Sequence, residues 1–112
     1  MHGFVGLQCP GSDLAVAALY YGERQPSSEG HAGAGVFWDD VWVLERDESH
    51  ESGLAWYFVE RHSGAERPVA CGWFPSVSWV DSSGKSKIVI HGGLLSSNQR
   101  SMDTHLLEIN LI

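Results

Sequence analysis

Two separated segments of the chain follow one pattern, and a repeated unit restricts the choice of fold more than any single element does. The apolar run AVAALYYGE (residues 15–23) leads through a polar stretch to DDVWVLE (39–45), and KIVIHGGL (87–94) leads through another to MDTHLLE (102–108). Aligned on the closing halves, Asp40 matches Asp103, Trp42 matches His105, Leu44 matches Leu107 and Glu45 matches Glu108. Aligned on the opening halves, Tyr20 matches His91 and Gly22 matches Gly93. The offsets are 71 residues for the opening halves and 63 for the closing halves, so the first copy holds eight extra residues in between. That surplus lies within GERQPSSEGHAGAGVFWDDVWVLE, residues 22–45.

Each copy reads as strand, loop, strand. Six segments, VAALYY (16–21), DVWVLE (40–45), LAWYFVE (54–60), SVSWVD (76–81), KIVIH (87–91) and THLLEI (104–109), are short and rich in β-branched and aromatic residues. The stretches between them, such as RDESHESG and DSSGKS, carry the Gly, Ser, Pro and Asp that turns require. Helical periodicity is absent, and no strand is evident before Ala15. The pattern predicts an all-β fold of antiparallel strands joined in sequence as a meander. At 112 residues there is room for one hydrophobic core and therefore one domain.

Composition narrows the partners. With 14 Asp and Glu against 7 Lys and Arg, the formal charge of -7 repels phosphate backbones and anionic lipid, so neither nucleic acid nor a membrane surface is an expected partner. Much of that charge sits in residues 39–51, where Asp39, Asp40, Glu45, Asp47, Glu48 and Glu51 face only Arg46, a run that reads as solvated. Cys9 and Cys71 lack CxxC spacing and read as incidental or buried thiols. The amino-terminal stretch has no basic n-region and its apolar part, LAVAALYY, is too short to span a bilayer, so a cytoplasmic location is expected, or a nuclear one. No Gly-x-Ser-x-Gly elbow, phosphate loop or His-Glu-x-x-His motif occurs, which leaves hydrolase and nucleotide-binding readings without support.

Repeated four-stranded meanders are the blades of propellers. The segment IVIHGGLLSSNQRSMDTHLLEI resembles a kelch repeat: an apolar strand ending in Gly92 and Gly93, a variable loop, Asp103 and a second strand. The first copy is similar, with Gly22, Asp40 and, sixteen residues later, Trp56 at the place of the kelch tryptophan; it departs at Tyr21, which stands where the second copy has Gly92. The resemblance implies kelch β-propeller blades, about one and a half of them, in a single partial domain over residues 1–112. Residues 14–60 would supply the second to fourth strands of one blade and 74–112 the first to third of the next. An unrelated antiparallel sandwich is the alternative for the same strands. Trp42, Trp56, Trp73 and Trp79 would pack between blades, where large flat rings fill wide gaps. Because stacked repeats need neighbours for stability, the chain is expected to belong to a longer propeller, or to self-associate through exposed blade edges.

The long first loop sharpens the resemblance. YYGERQPSSEGHAGAG is similar to a segment of the kelch proteins of the nitrile-specifier, epithiospecifier and thiocyanate-forming group and their fungal kelch relatives, with galactose oxidase-like propellers. In that group the loop holds iron(II) with a Glu-x3-Asp-x3-His pattern, and the matching positions here are Glu23, Ser27 and His31. Ser27 replaces the carboxylate, and a neutral hydroxyl supplies no comparable charge to a hard cation. Neighbouring Glu29 is a substitute if the loop refolds. Without a metal, Pro26, Ser27, Ser28, Gly30, Gly33 and Gly35 make a compact turn that His31 pins by donating to a carbonyl.

Three functional readings follow. The first is a kelch-repeat binding module, without cofactor, whose loops on one face contact a protein partner. The alternative is an iron(II)-dependent, specifier-like lyase acting on glucosinolate aglycones, with Glu23 and His31 as ligands and Trp38 walling the pocket. An inert remnant of a longer protein is the third. Of the remaining histidines, His50 and His62 fall in polar turns, and His91 and His105 occupy strand positions where a packed imidazole is ordinary.

Overall fold

A computed structural model describes residues 2–7, 14–60 and 68–108. The fold is all-β and antiparallel. In chain order the strands are β1 (Gly3–Gly6), β2 (Ala15–Gln25), β3 (Val36–Arg46), β4 (Leu54–Phe58), β5 (Cys71–Gly72), β6 (Ser76–Val80), β7 (Ser86–His91), β8 (Leu94–Leu95) and β9 (Thr104–Glu108). A single 3-10 turn, Gly30–Ala32, is the one helical piece among the described residues. Strands β1 to β4 form a first sheet in sequence order, β6, β7 and β9 form a second, and β5 pairs with β8 in a short ribbon.

The repeat seen in the sequence is a repeat in the backbone. In the first sheet Ala17, Ala18, Leu19 and Tyr20 face Leu44, Val43, Trp42 and Val41. In the second, Ile88, Val89, Ile90 and His91 face Leu107, Leu106, His105 and Thr104, which is the same register under the two sequence offsets. The turn that ends each opening strand is also the same. Tyr21 and Gly22 have φ of 56° and 104°, and Gly92 and Gly93 have φ of 70° and 103°. Tyr21 thus takes the left-handed conformation that glycine adopts without a Cβ clash, and its ring secures it there. The side chain is buried, sits edge-on to Phe74 with centroids 6.4 Å apart, and donates its hydroxyl proton to the Pro68 carbonyl at 3.2 Å.

The strand arrangement also goes beyond the sequence pattern. Strand β1 precedes Ala15 and completes a four-stranded sheet; only four residues long with two glycines, GFVG has little pattern of its own. Pairing directly opposite Tyr20, Gly3 has no room for a Cβ, which would lie 1.9 Å from the tyrosine ring. The β2–β3 ladder also continues past the kink, with Glu23 opposite Phe37 and Gln25 opposite Val36, so part of the expected first loop is strand. The second copy instead closes at once: Ser101 N–H donates to Gly93 O and Leu95 N–H to Gln99 O, each at 2.9 Å. The eight-residue surplus is spent on this longer arm and its tip.

The two sheets pack face to face. Strand alternation turns Ala18, Tyr20 and Val43 of the first sheet toward Ile88 and Ile90 of the second, and all five are buried. Phe74, from the segment between the sheets, stacks on Tyr20 with centroids 6.0 Å apart, and Tyr20 shares a 2.7 Å hydrogen bond with Ser76 across the gap. Trp42, Trp56 and Trp79 do not lie between the two sheets. Trp42 and Trp56 project from the other face of the first sheet, Trp79 from the far face of the second, and Trp73 stands at the loop end. Tyr20 and Val43 have the parity that points inward, and Trp42, Trp56 and Trp79 have the opposite one. Cys71 is buried in the same core, where desolvation pushes its thiol up to about 11 and keeps it protonated at neutral pH. Cys9 and His62 lie outside the described residues.

Candidate functional site

The loop end of the two sheets is organised around Glu23. Just past the Tyr21–Gly22 kink, Glu23 accepts a 3.0 Å hydrogen bond from Trp73 Nε1 across the junction between the sheets. Trp73 itself has φ of 55°, a conformation costly for a large side chain and held here by that contact. Next along β2, the Arg24 guanidinium lies over the Trp38 ring at 4.9 Å, a cation–π contact. Both indoles keep much of their surface in solvent, Trp38 at 44% and Trp73 at 39%. Asn98, at the tip of the second copy's loop with φ of 65°, donates to the Ala32 carbonyl at 3.2 Å and so ties the two repeat loops together.

Two open clefts flank Glu23. One, of about 400 Å³, is lined by Glu23, Pro26, Ser27, Trp73, Leu94 and Arg100. The other, of about 340 Å³, is lined by Glu23 together with Leu19, Tyr21, Trp38, Asp40 and Trp42. Glu23 and Ser27, two of the three positions of the iron pattern, therefore line one cleft. His31 falls in the Gly30–Ala32 turn, and its side chain lies outside what is described. Ser27 Oγ accepts the Glu29 N–H at 3.0 Å, the local turn role expected of it. Among the described residues, no three His, Cys, Asp or Glu side chains come close enough to hold a metal ion.

The repeat positions are structural in their contacts. Gly22, Gly92 and Gly93 occupy the positive-φ turns. Asp40 Oδ2 accepts the Trp42 Nε1 proton at 2.8 Å, while Asp103 offers its backbone carbonyl to Gly92 N–H at 2.9 Å. Trp56 meets Phe4 on the outward face of the first sheet, centroids 6.4 Å apart. His91 Nδ1 and Thr104 Oγ1 are 2.7 Å apart on the surface, and His50 lies 3.3 Å from Asp47 in the β3–β4 turn. The sequence pattern marks Trp73 only as a packing residue and does not mark Arg100. The run Gly72-Trp73-Phe74-Pro75, which breaks any strand alternation, was the available signal for the first; nothing local marks Arg100.

No known protein-family profile matches the chain, and no curated protein is significantly similar to it. Among the described residues no helix is long and apolar enough to cross a membrane.

Proposed function

We propose that this chain is a protein-binding module of kelch-like repeat architecture whose loop end around Glu23 contacts a protein partner in the cytoplasm. The observation that carries the reading is the exposed group Arg24, Trp38, Trp73 and Arg100 gathered at one end of two repeated sheets. Tryptophan and arginine are the residues most often responsible for binding energy at protein interfaces. The repeated register and the repeated positive-φ turn support the repeat architecture. An immobilised chain is expected to retain a partner in the presence of a chelator and to lose it in the Trp38→Ala, Trp73→Ala double variant with its circular dichroism unchanged. Retention that disappears on chelation, or that survives both substitutions, overturns the reading.

Iron(II)-dependent lyase activity is the second reading, favoured by Glu23 and Ser27 lining one cleft. It requires that Ser27→Asp bind iron(II) more tightly than the parent in a titration. Equal affinity would remove it.

A further inference from the structure

The repeat sets both sheets in the same sense, and this decides which of their faces remain open. In the first sheet Ala18, Tyr20, Val41 and Val43 point toward the second sheet. Their equivalents in the second sheet, Val89, His91, Thr104 and Leu106, point away from the first, because Ile88 and Ile90 take the inward side. The equivalents of Ile88 and Ile90 in the first sheet are Ala17 and Leu19, on its outward face. The contact inside the chain therefore joins one kind of face to the other kind. One face of each kind is left uncovered among the described residues.

Both open faces carry a cluster of large, exposed apolar side chains. On the first sheet, Phe4 (57% exposed) meets Trp56, and Phe58 (55% exposed) sits edge-on to Trp42 with centroids 5.3 Å apart. On the second, Val77 (60% exposed), Trp79 and Leu106 (54% exposed) surround Val89, and the Lys87–Glu108 ion pair of 2.7 Å neutralises the adjoining charges. Patches of contiguous large apolar side chains on a water-facing sheet mark interaction surfaces. Stacking in this sense is heterologous, since the surface left open at one end is of the kind already bound at the other, and it continues until it closes.

We propose that a second copy of this chain seats its Phe4–Phe58 face on the Val77–Leu106 face of the first, repeating between molecules the packing that joins the two sheets within one. Stacking in this sense closes once about four to eight sheets have been brought together. The inference concerns the sheet faces and not the loop end, so it stands apart from the partner reading above.

Sedimentation velocity tests it on the purified 112-residue chain and two single-face variants, Phe58→Glu and Val77→Lys. These positions are exposed, and near-UV circular dichroism of each variant reports whether the core is intact. The parent is expected to form a discrete oligomer whose population grows with concentration. Each variant alone is expected to be monomeric, and the two mixed are expected to form a one-to-one heterodimer, because each retains the face the other has lost. A parent that stays monomeric overturns the proposal outright, whether its faces are taken by other partners or by further blades. A Val77→Lys variant that still dimerises overturns it in favour of like faces meeting, and a mixture that stays monomeric overturns the head-to-tail geometry.

Discussion

The first sheet and the second make one turn with different residues. In the second it is Gly92–Gly93, and Gly93 fits because a Cβ there would lie 3.1 Å from the Gly72 carbonyl and from Phe74. In the first, Tyr21 takes the place of the leading glycine and keeps a φ within 14° of it. The conformation costs on the order of 1 to 3 kcal/mol for a side chain with a Cβ. Burial of the ring against Phe74 and the hydrogen bond to Pro68 offset it. The two copies therefore show that a repeated backbone does not require a repeated residue, provided tertiary contacts replace the conformational freedom that was lost. A second difference lies in position: the first sheet presents Tyr20 to the second, whereas the equivalent His91 has no sheet facing it among the described residues.

The largest effect should separate those equivalents. Tyr20→Ala removes a fully buried ring between the sheets and is expected to cost about 3 to 5 kcal/mol, by analogy with aromatic core truncations. His91→Ala, on the surface, should stay within about 0.5 kcal/mol. Urea midpoints measure both, and equal losses would mean that the sheets do not pack as described. Next comes the turn itself. Gly93→Ala introduces a Cβ at φ of 103° against two close neighbours and should destabilise by about 2 to 3 kcal/mol. Tyr21→Phe, which removes only the hydroxyl bonded to Pro68, should cost about 1 kcal/mol. A reversal of that order would show that tyrosine and glycine hold the turn in different ways.

The smallest effect concerns a feature the two sheets share. Each has an Asp-x-Ser turn, Asp47-Glu48-Ser49 between β3 and β4 and Asp81-Ser82-Ser83 between β6 and β7. The Asp81 carboxylate is held down to about 2, first by the Ser83 hydroxyl at 2.6 Å and then by the Lys85 N–H at 3.0 Å, with Lys87 nearby. Asp47 is pulled below the usual carboxylate range by Ser49, Tyr57 and His50. A carboxyl depressed in the folded state stabilises the fold above its unfolded value, near 4, and loses that contribution as pH falls through the folded one. Stability should therefore decline between about pH 4 and pH 2, and Asp81→Asn should flatten that decline slightly. A pH series of thermal melts that leaves parent and variant parallel would contradict the assignment.

How much of this could be read from the residues varies with how local the cause is. The six longer strands carry β-branched and aromatic runs bounded by turn residues, and all six are where the pattern put them. The duplicated register followed from matching offsets, because each hairpin is closed by its own turn. Strand β1 escaped notice because it is short, half glycine, and fits by the absence of side chains opposite Tyr20. The β5–β8 ribbon, of two residues on each side, is defined by pairing across 22 residues of chain and has no pattern to find. At the loop end, the family pattern assigns Glu23 to iron, whereas its partner in the structure is an indole from a segment fifty residues away.

Hydrophobic alternation, turn chemistry and the repeat were enough to settle that the chain is an antiparallel β protein built from a duplicated unit, since these act between neighbours along the strand and across one hairpin. Which face of each sheet is covered, how Tyr21 sustains a glycine's conformation, and the meeting of Glu23 with Trp73 came from packing between sheets. Those contacts depend on side chains brought together from distant positions, and no short window of residues contains both partners.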